Sequence, residues 1–156
     1  MDSIILRDYR SGDLDGLEHL FYDTVHTVNA ADYSPEQLNA WAPGTVDRAR
    51  WDRTLREHFT RIAEHAGQIV GFGDLAAEGY LDRLYVHRNF QRCGIATAIC
   101  DALEAHARLL GVPAVTTHVS ITARPFFEGR GYHVVKEQQV KRAGITLINF
   151  IMERRL

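Results

Sequence analysis

Cysteine is scarce: Cys93 and Cys100 are the only two among 156 residues. Two thiols make neither a disulfide framework nor a zinc site of four thiolates. A helix running through both would set them about two turns apart, too far to bridge. Free thiols suit a reducing compartment, so a cytoplasmic protein is expected. No apolar run approaches the ~20 residues of a membrane helix. Met1–Arg7 lacks the basic start and long apolar stretch of a secretion signal, so none is expected. The formal net charge is −2, which gives no global attraction to nucleic acid or anionic lipid. The eight histidines show no metal-ligand spacing; His19 and His26 are seven apart, and no metal is expected. There is no Gly-Lys-Ser/Thr ending of a P-loop and no three-glycine dinucleotide fingerprint. A nucleotide-dependent phosphotransferase therefore lacks its lysine and magnesium pattern. Repeats, low-complexity stretches and linkers are missing too.

What remains is a chain of ordinary globular composition, 46% hydrophobic and 24% charged, read as a single domain over 1–156. Ile4-Ile5-Leu6 opens a first strand. Ser11-Gly12-Asp13 then starts a helix whose apolar face recurs as Leu14, Leu17, Phe21, Val25 and Val28. Ser34-Pro35-Glu36-Gln37 is a capping box with proline at the first helical position, and Ala42-Pro43-Gly44 stops that helix. A third helix is predicted from about Asp47 to Phe59. Two strands, 61–65 and 68–75, join at an Ala66-Gly67 turn, and Gly71 and Gly73 suggest a bulge or a close backbone approach. A strand at 80–86 precedes a helix from Gly94 to Gly111. Its predicted inner face is Ile95, Ala98, Ile99, Ala102, Leu103, His106, Leu109 and Leu110, with Asp101, Glu104 and Arg108 on the surface. A strand at 114–120, a short helix near 123–128 and two final strands complete a mixed α/β domain. The helix between 80–86 and 114–120 makes those strands parallel neighbours.

The chain is organised around Leu84-Tyr85-Val86-His87-Arg88-Asn89-Phe90-Gln91-Arg92-Cys93-Gly94-Ile95-Ala96-Thr97. An apolar strand ends in a basic loop, and a glycine opens a long helix. Unpaired N–H groups and the helix dipole make a seat for phosphate. Gln91-Arg92-Cys93-Gly94-Ile95-Ala96 resembles the acetyl-CoA pyrophosphate motif Q/R-x-x-G-x-G/A of the GNAT superfamily of N-acetyltransferases. Ile69-Val70-Gly71-Phe72 and Leu84-Tyr85-Val86-His87 resemble the strands before it. Ser120-x-x-Ala123-x-x-Phe126-Phe127-x-x-x-Gly131-Tyr132 is similar to the later motif N-x-x-A-x-x-L/F-Y-x-x-x-G-F.

The resemblance implies a GNAT-like fold, a twisted mixed sheet of about seven strands flanked by helices. It also implies acetyl-CoA as co-substrate and a primary amine of a small molecule or peptide as acceptor. Backbone amides of Arg92, Cys93, Gly94, Ile95, Ala96 and Thr97 would hold the pyrophosphate, with Gln91 opening the loop. Leu84, Tyr85 and Val86 would meet the pantetheine arm where the parallel strands part, and Val86 N–H would serve the oxyanion. Ser120, where asparagine is usual, keeps a hydroxyl for the same arm. Arg88 or Arg124 would reach the ribose phosphate. A homodimer through the last strands is a common route for this fold.

Catalysis is where the pattern breaks. Strict alternation puts Tyr80, Asp82, Leu84 and Val86 on one side of their strand. The family's glutamate base aligns near Tyr80, a poor base at neutral pH, so Asp82 is the first candidate. His118 is the second and Glu78 a weaker third. The family's tyrosine acid aligns with Phe127, which has no proton to give, and Tyr132 aligns with a packing aromatic. Water would then protonate the thiolate. Cys93 sits at a helix N-terminus, where a thiol pKa falls and an acyl-cysteine is conceivable, but the better reading is a small residue tolerated in the loop. Tyr22, Tyr33, Trp41 and Trp51 are the candidate acceptor walls. The alternative is a non-catalytic acyl-CoA-binding module that keeps the phosphate loop without the chemistry.

Overall fold

A computed structural model describes residues 3–156; Met1 and Asp2, part of the stretch read for a secretion signal, lie outside them. Seven strands, numbered along the chain, form one sheet. Its spatial order is β1 (Ile5–Arg7), β2 (Phe59–His65), β3 (Gln68–Leu75), β4 (Tyr80–Val86), β5 (Ala114–Ser120), β7 (Ile145–Arg155) and β6 (His133–Arg142). Every neighbouring pair is antiparallel except β4 and β5. Helices α1 (Leu14–Thr27), α2 (Pro35–Trp41) and α3 (Arg48–Glu57) cover one face. Helix α4 (Ile95–Leu110) and the short α5 (Arg124–Gly129) pack on the other.

Local chemistry accounts for the element ends. Ser34 Oγ accepts from Gln37 N while Gln37 Oε1 accepts from Ser34 N, the reciprocal box that starts α2. Arg7 grips Asp13 with two parallel 2.8 Å bonds, tying β1 to the start of α1. The third helix stops earlier than its apolar spacing suggests. It ends at Glu57, and Phe59 begins β2, where its ring stacks on His106 of α4 at 3.8 Å between centroids. The pull of sheet pairing and that stack override helical periodicity.

α4 also sits differently from its predicted face. Ile95, Ile99, Cys100, Leu103, Glu104 and Ala107 are buried, whereas Leu109 is 86% exposed. Glu104, read as a surface residue, is 2% exposed. It is held by Arg130, Arg154 and the Tyr132 hydroxyl at 2.7–2.8 Å. A buried carboxylate surrounded by donors satisfies the rule that burial of charge requires partners, and helical periodicity alone does not reveal it.

Gly71 and Gly73 are there for close approach. A Cβ on Gly73 would lie 2.8 Å from Ile99 Cγ2 and 3.0 Å from the Arg83 carbonyl oxygen. The missing side chains let α4 settle against β3, which fixes the height of its N-terminus over the sheet. Replacing Gly73 by Ala is expected to cost about 1–3 kcal/mol through overpacking. Gly129→Ala, where nothing lies within 4 Å, should change stability little. Denaturant midpoints of the two variants check this.

Candidate active site

The parallel ladder between β4 and β5 is short. It pairs Tyr80 with Thr116 and Leu81 with Thr117, and then stops. β5 meanwhile pairs with β7 along its whole length, from Ala114↔Arg155 to Ser120↔Asn149. β4 stays with β3 up to Gly71↔Val86, and His87 N donates to Val70 O at 2.8 Å. The two strands therefore part after Leu81, whose carbonyl takes the Thr117 hydroxyl at 2.8 Å. Because His87 and Val70 are a hydrogen-bonded pair, the antiparallel alternation turns the backbone N–H and C=O of Val86 and Leu84 away from β3. They face the gap. Tyr85 has the opposite orientation and spends its backbone groups on β3.

A β-bulge corrects the strict alternation read from the sequence. Asp74 pairs with Arg83, but Leu75 pairs with Leu81, so β4 carries one extra residue here. Leu81, Leu84 and Val86 pack toward α4. Tyr80, Asp82, Arg83 and Tyr85 turn to the face covered by α1–α3. Asp82 and Val86 thus stand on opposite sides of the strand, one at the acceptor-side cavity and one at the gap.

Behind Asp82 lies a charge cluster that sequence reasoning missed. Asp74 is fully buried and meets both the Arg83 guanidinium and, at 2.8 Å, His58 Nδ1. Arg83 also donates to Thr54 Oγ1 at 2.8 Å and lies 4.8 Å over the Trp51 ring. Asp82 Oδ2 is 3.6 Å from Arg83 and 4.0 Å from His58, with its side chain 29% exposed. Burial pushes the Asp74 carboxyl up, while His58 and Arg83 pull it back. The bond to Asp74 raises His58 above the ordinary histidine value against the opposing effect of burial. His58, Asp74 and Asp82 bring ligating atoms within 4.8 Å of one another. The Arg83 guanidinium already supplies the positive charge between the two carboxylates. The one available sequence signal was an acid, Asp74, inside the apolar run 69–75.

A cavity of about 200 Å³ opens on the Asp82 face. Tyr33, Trp41, Tyr80 and Tyr85 wall it, and His118 and Ser120 of β5 reach it. The Tyr33 hydroxyl donates to Ile148 O at 2.6 Å and accepts from Ile121 N at 3.0 Å, so it joins β7 to the end of β5. His118 meets Tyr80 edge-on at 5.4 Å. Burial, then Asp82, hold the Tyr80 hydroxyl above its usual pKa, which keeps it protonated at neutral pH. Trp51 packs instead among Phe21, Phe72 and Arg83. Tyr22 borders a separate hollow crossed by the ion pairs of Arg48 with Asp15 and Glu18. Exposed Glu78 lies outside the cavity lining, in the turn before β4.

At the far end of the gap the loop 87–94 turns into α4. Gln91 Nε2 donates to Val86 O at 2.7 Å, so this side chain pins the loop to the strand. Arg92 and Gly94 have φ of 58° and 82°. Gly94 caps α4 with no side-chain bond, and a Cβ there would meet nothing within 4 Å. The first N–H groups of this 16-residue helix have no intrahelical partner and no side-chain cap. Cys93 is exposed beside them and Cys100 is buried.

The family model for the acetyltransferase (GNAT) domain matches residues 29–154. The chain belongs to the GNAT family. It is 35% identical over 152 residues to the uncharacterized N-acetyltransferase YafP of Escherichia coli (strain K12), covering 97% of this chain and 96% of that one. A GCN5-related N-acetyltransferase structure from Rhodopseudomonas palustris superposes with a TM-score of 0.94 at 33% identity, over 100% of this chain and 98% of that one. The PaiA N-acetyltransferase of Thermoplasma acidophilum, solved in complex with coenzyme A, shares the fold. Its TM-score is 0.81 at 18% identity, covering 99% of this chain and 100% of that one.

Among GNAT motif positions, Phe127 is buried, 5.0 Å edge-on to Tyr132. It offers a ligand neither a proton nor an open face. Ser120 Oγ accepts from Ala123 N at 3.1 Å and Asn29 Nδ2 at 3.4 Å, leaving its own hydrogen to give. Arg88 lies 3.6 Å from Asp23, and Arg124 lies 3.4 Å from Glu128 and over the Phe150 ring. Among the described residues no helix is long and apolar enough to cross a membrane.

The raised pKa of His58 has a definite sign. Its protonated form stabilises the fold, fully so below the unfolded histidine value of about 6.5, and that contribution is lost as pH rises through the higher folded value. Denaturation midpoints of the protein should therefore fall as pH rises from about 6.5, and His58→Gln should flatten that slope.

Proposed function

We propose that this GNAT enzyme moves the acetyl group of acetyl-CoA to the primary amine of a small molecule or peptide by direct attack. The observation that carries the reading is the parting of β4 from β5, with the Val86 N–H turned into the gap and Asp82, four residues earlier, on the cavity face of the same strand. The pantetheine arm would occupy the gap, bonding the Val86 N–H, the gap-facing backbone groups of Leu84 and the Ser120 hydroxyl. The pyrophosphate would sit on the N–H groups of residues 92–97, where the helix dipole favours an anion. The coenzyme A bound to the Thermoplasma acidophilum neighbour supports this donor.

The neutral amine attacks the thioester carbonyl carbon, forming the N–C bond while the carbonyl electron pair moves to oxygen. A donor fixed in the backbone stabilises that charge without reorganising, and Val86 N–H has that position. Collapse re-forms the carbonyl, breaks the C–S bond and releases the CoA thiolate. The nitrogen's extra proton goes to Asp82, directly or through one water, with His118 the second candidate. Water protonates the thiolate, because Phe127 has no proton and the Tyr132 hydroxyl is committed to Glu104. A thiol near pKa 8.5 leaves readily enough for this route.

Removing the base tests the assignment. Asp82→Asn should lower kcat/KM for the amine about 100-fold or more with a small change in acetyl-CoA KM. Activity within threefold of the parent would transfer the role elsewhere, with His118→Ala as the next variant. Gly94→Ala should act on the other substrate. The φ of 82° disfavours a side chain by roughly 1–2 kcal/mol, so acetyl-CoA KM should rise while kcat changes less. Steady-state kinetics varying each substrate separately distinguishes the two effects.

A further inference from the structure

The cavity beside Asp82 carries a second charge that the transfer step does not use. Arg142, at the end of β6, lines it. Its hydrogen bond is from Nη1 to the neighbouring Lys141 carbonyl at 3.0 Å. Arg142 is exposed, and its guanidinium has no carboxylate partner among the described residues, which leaves it available to a ligand in the cavity. Beyond burial, the pKa of the Tyr80 hydroxyl is raised by Asp82 and Asp74 and lowered by Arg83 and then Arg142. A negative and a positive side chain thus border one small space. Asn149, opposite Ser120 across the β5–β7 ladder, lines it as well, and its buried Oδ1 has no hydrogen-bond partner.

These features constrain the acceptor. A volume of about 200 Å³ lies below the ~300–1,000 Å³ of sites for drug-sized ligands, so the ligand is small. A diamine would bring its second cation toward Arg142. A plain alkylamine would leave the guanidinium unpaired. A carboxylate or phosphate matches the guanidinium fork with two parallel bonds. Trp41, Val140 and Leu147 supply an apolar wall for the few carbons between the two polar ends.

We propose that the acceptor is a small amine that also carries an oxyacid anion, its nitrogen at Asp82 and Asn149 and its anion gripped by Arg142. This rests on the reading of Asp82 as the group that faces the amine. The test measures acetyl transfer at saturating acetyl-CoA with chain-matched acceptors: γ-aminobutyrate, aminopropylphosphonate, butylamine and diaminobutane. The acid-bearing amines should be favoured over butylamine by roughly tenfold or more in kcat/KM, the size of one charge-assisted hydrogen bond. The carboxylate and phosphonate arms identify which oxyacid fits.

Arg142→Gln should bring the four acceptors close to parity. Arg142→Glu should invert the order toward diaminobutane, a gain that also shows the variant is folded. Wild-type preference for butylamine or diaminobutane, or an unchanged order in Arg142→Glu, overturns the proposal. If no acceptor turns over, calorimetric binding to the CoA-loaded protein separates the two readings. Binding of the acid-bearing amines that depends on Arg142 supports the acceptor class and removes the proposed chemistry at Asp82. No such binding, or equal binding of butylamine, overturns the acceptor class itself.

Discussion

Two parallel strands cannot part inside a sheet without leaving backbone donors and acceptors unpaired, and most of this molecule answers that requirement. β5 is anchored to β7 along its length, so β4 is the strand that departs. Where pairing ends, side chains take over part of the load. Thr117 caps the Leu81 carbonyl, and Gln91 and Thr24 cap that of Val86. The N–H of Val86 on the gap side has no such substitute. A buried amide without a partner is costly, and a ligand that adds its own amides as a short extra strand removes the cost. Under the proposed function, the donor site is a defect in sheet pairing that acetyl-CoA completes.

The bulge at Asp82–Arg83 separates the two halves of the proposed reaction. Without the extra residue, Asp82 and the α4-facing Val86 would share a side of the strand, and the base would be directed into the core. With it, the carboxylate reaches the cavity while the proposed oxyanion donor stays in the backbone. The bulge also presents Arg83 to buried Asp74. A buried ion pair adds little net stability, because desolvation offsets attraction. Its value lies in fixing where the Arg83 charge sits, 3.6 Å from the Asp82 carboxylate.

Much of the donor half was legible from the sequence. Gly94, the loop before it and the parallel crossover are local patterns with direct geometric meaning, and the strand gap followed from the family resemblance. The acceptor half was less legible, because it is assembled from residues far apart in the chain. Arg142 and Asn149 sit in the last strands without any local motif, and His58 follows a helix whose end was misplaced. Asp82 was found on a parity that the bulge cancels. Its candidacy stands because it still reaches the cavity, and Leu84 and Val86 are the residues whose face changed. Glu104 was missed for a related reason: period and polarity assigned it to water, and two arginines from later in the chain enclosed it.

Glu104 matters mechanically. The sheet is nearly divided between β4 and β5, where two ladder pairs join β1–β4 to β5–β7. α4 packs mainly on β2, β3 and β4, yet its Glu104 binds Arg154 on β7 and Arg130 and Tyr132 beyond α5. One buried side chain rivets the two half-sheets together from the helix that crosses the seam. The slit can therefore admit a wedge-like ligand without the halves swinging apart. The same rivet ties the helix to the β7 side of the slit, so the spacing of the proposed phosphate seat from the strand gap is a property of the scaffold.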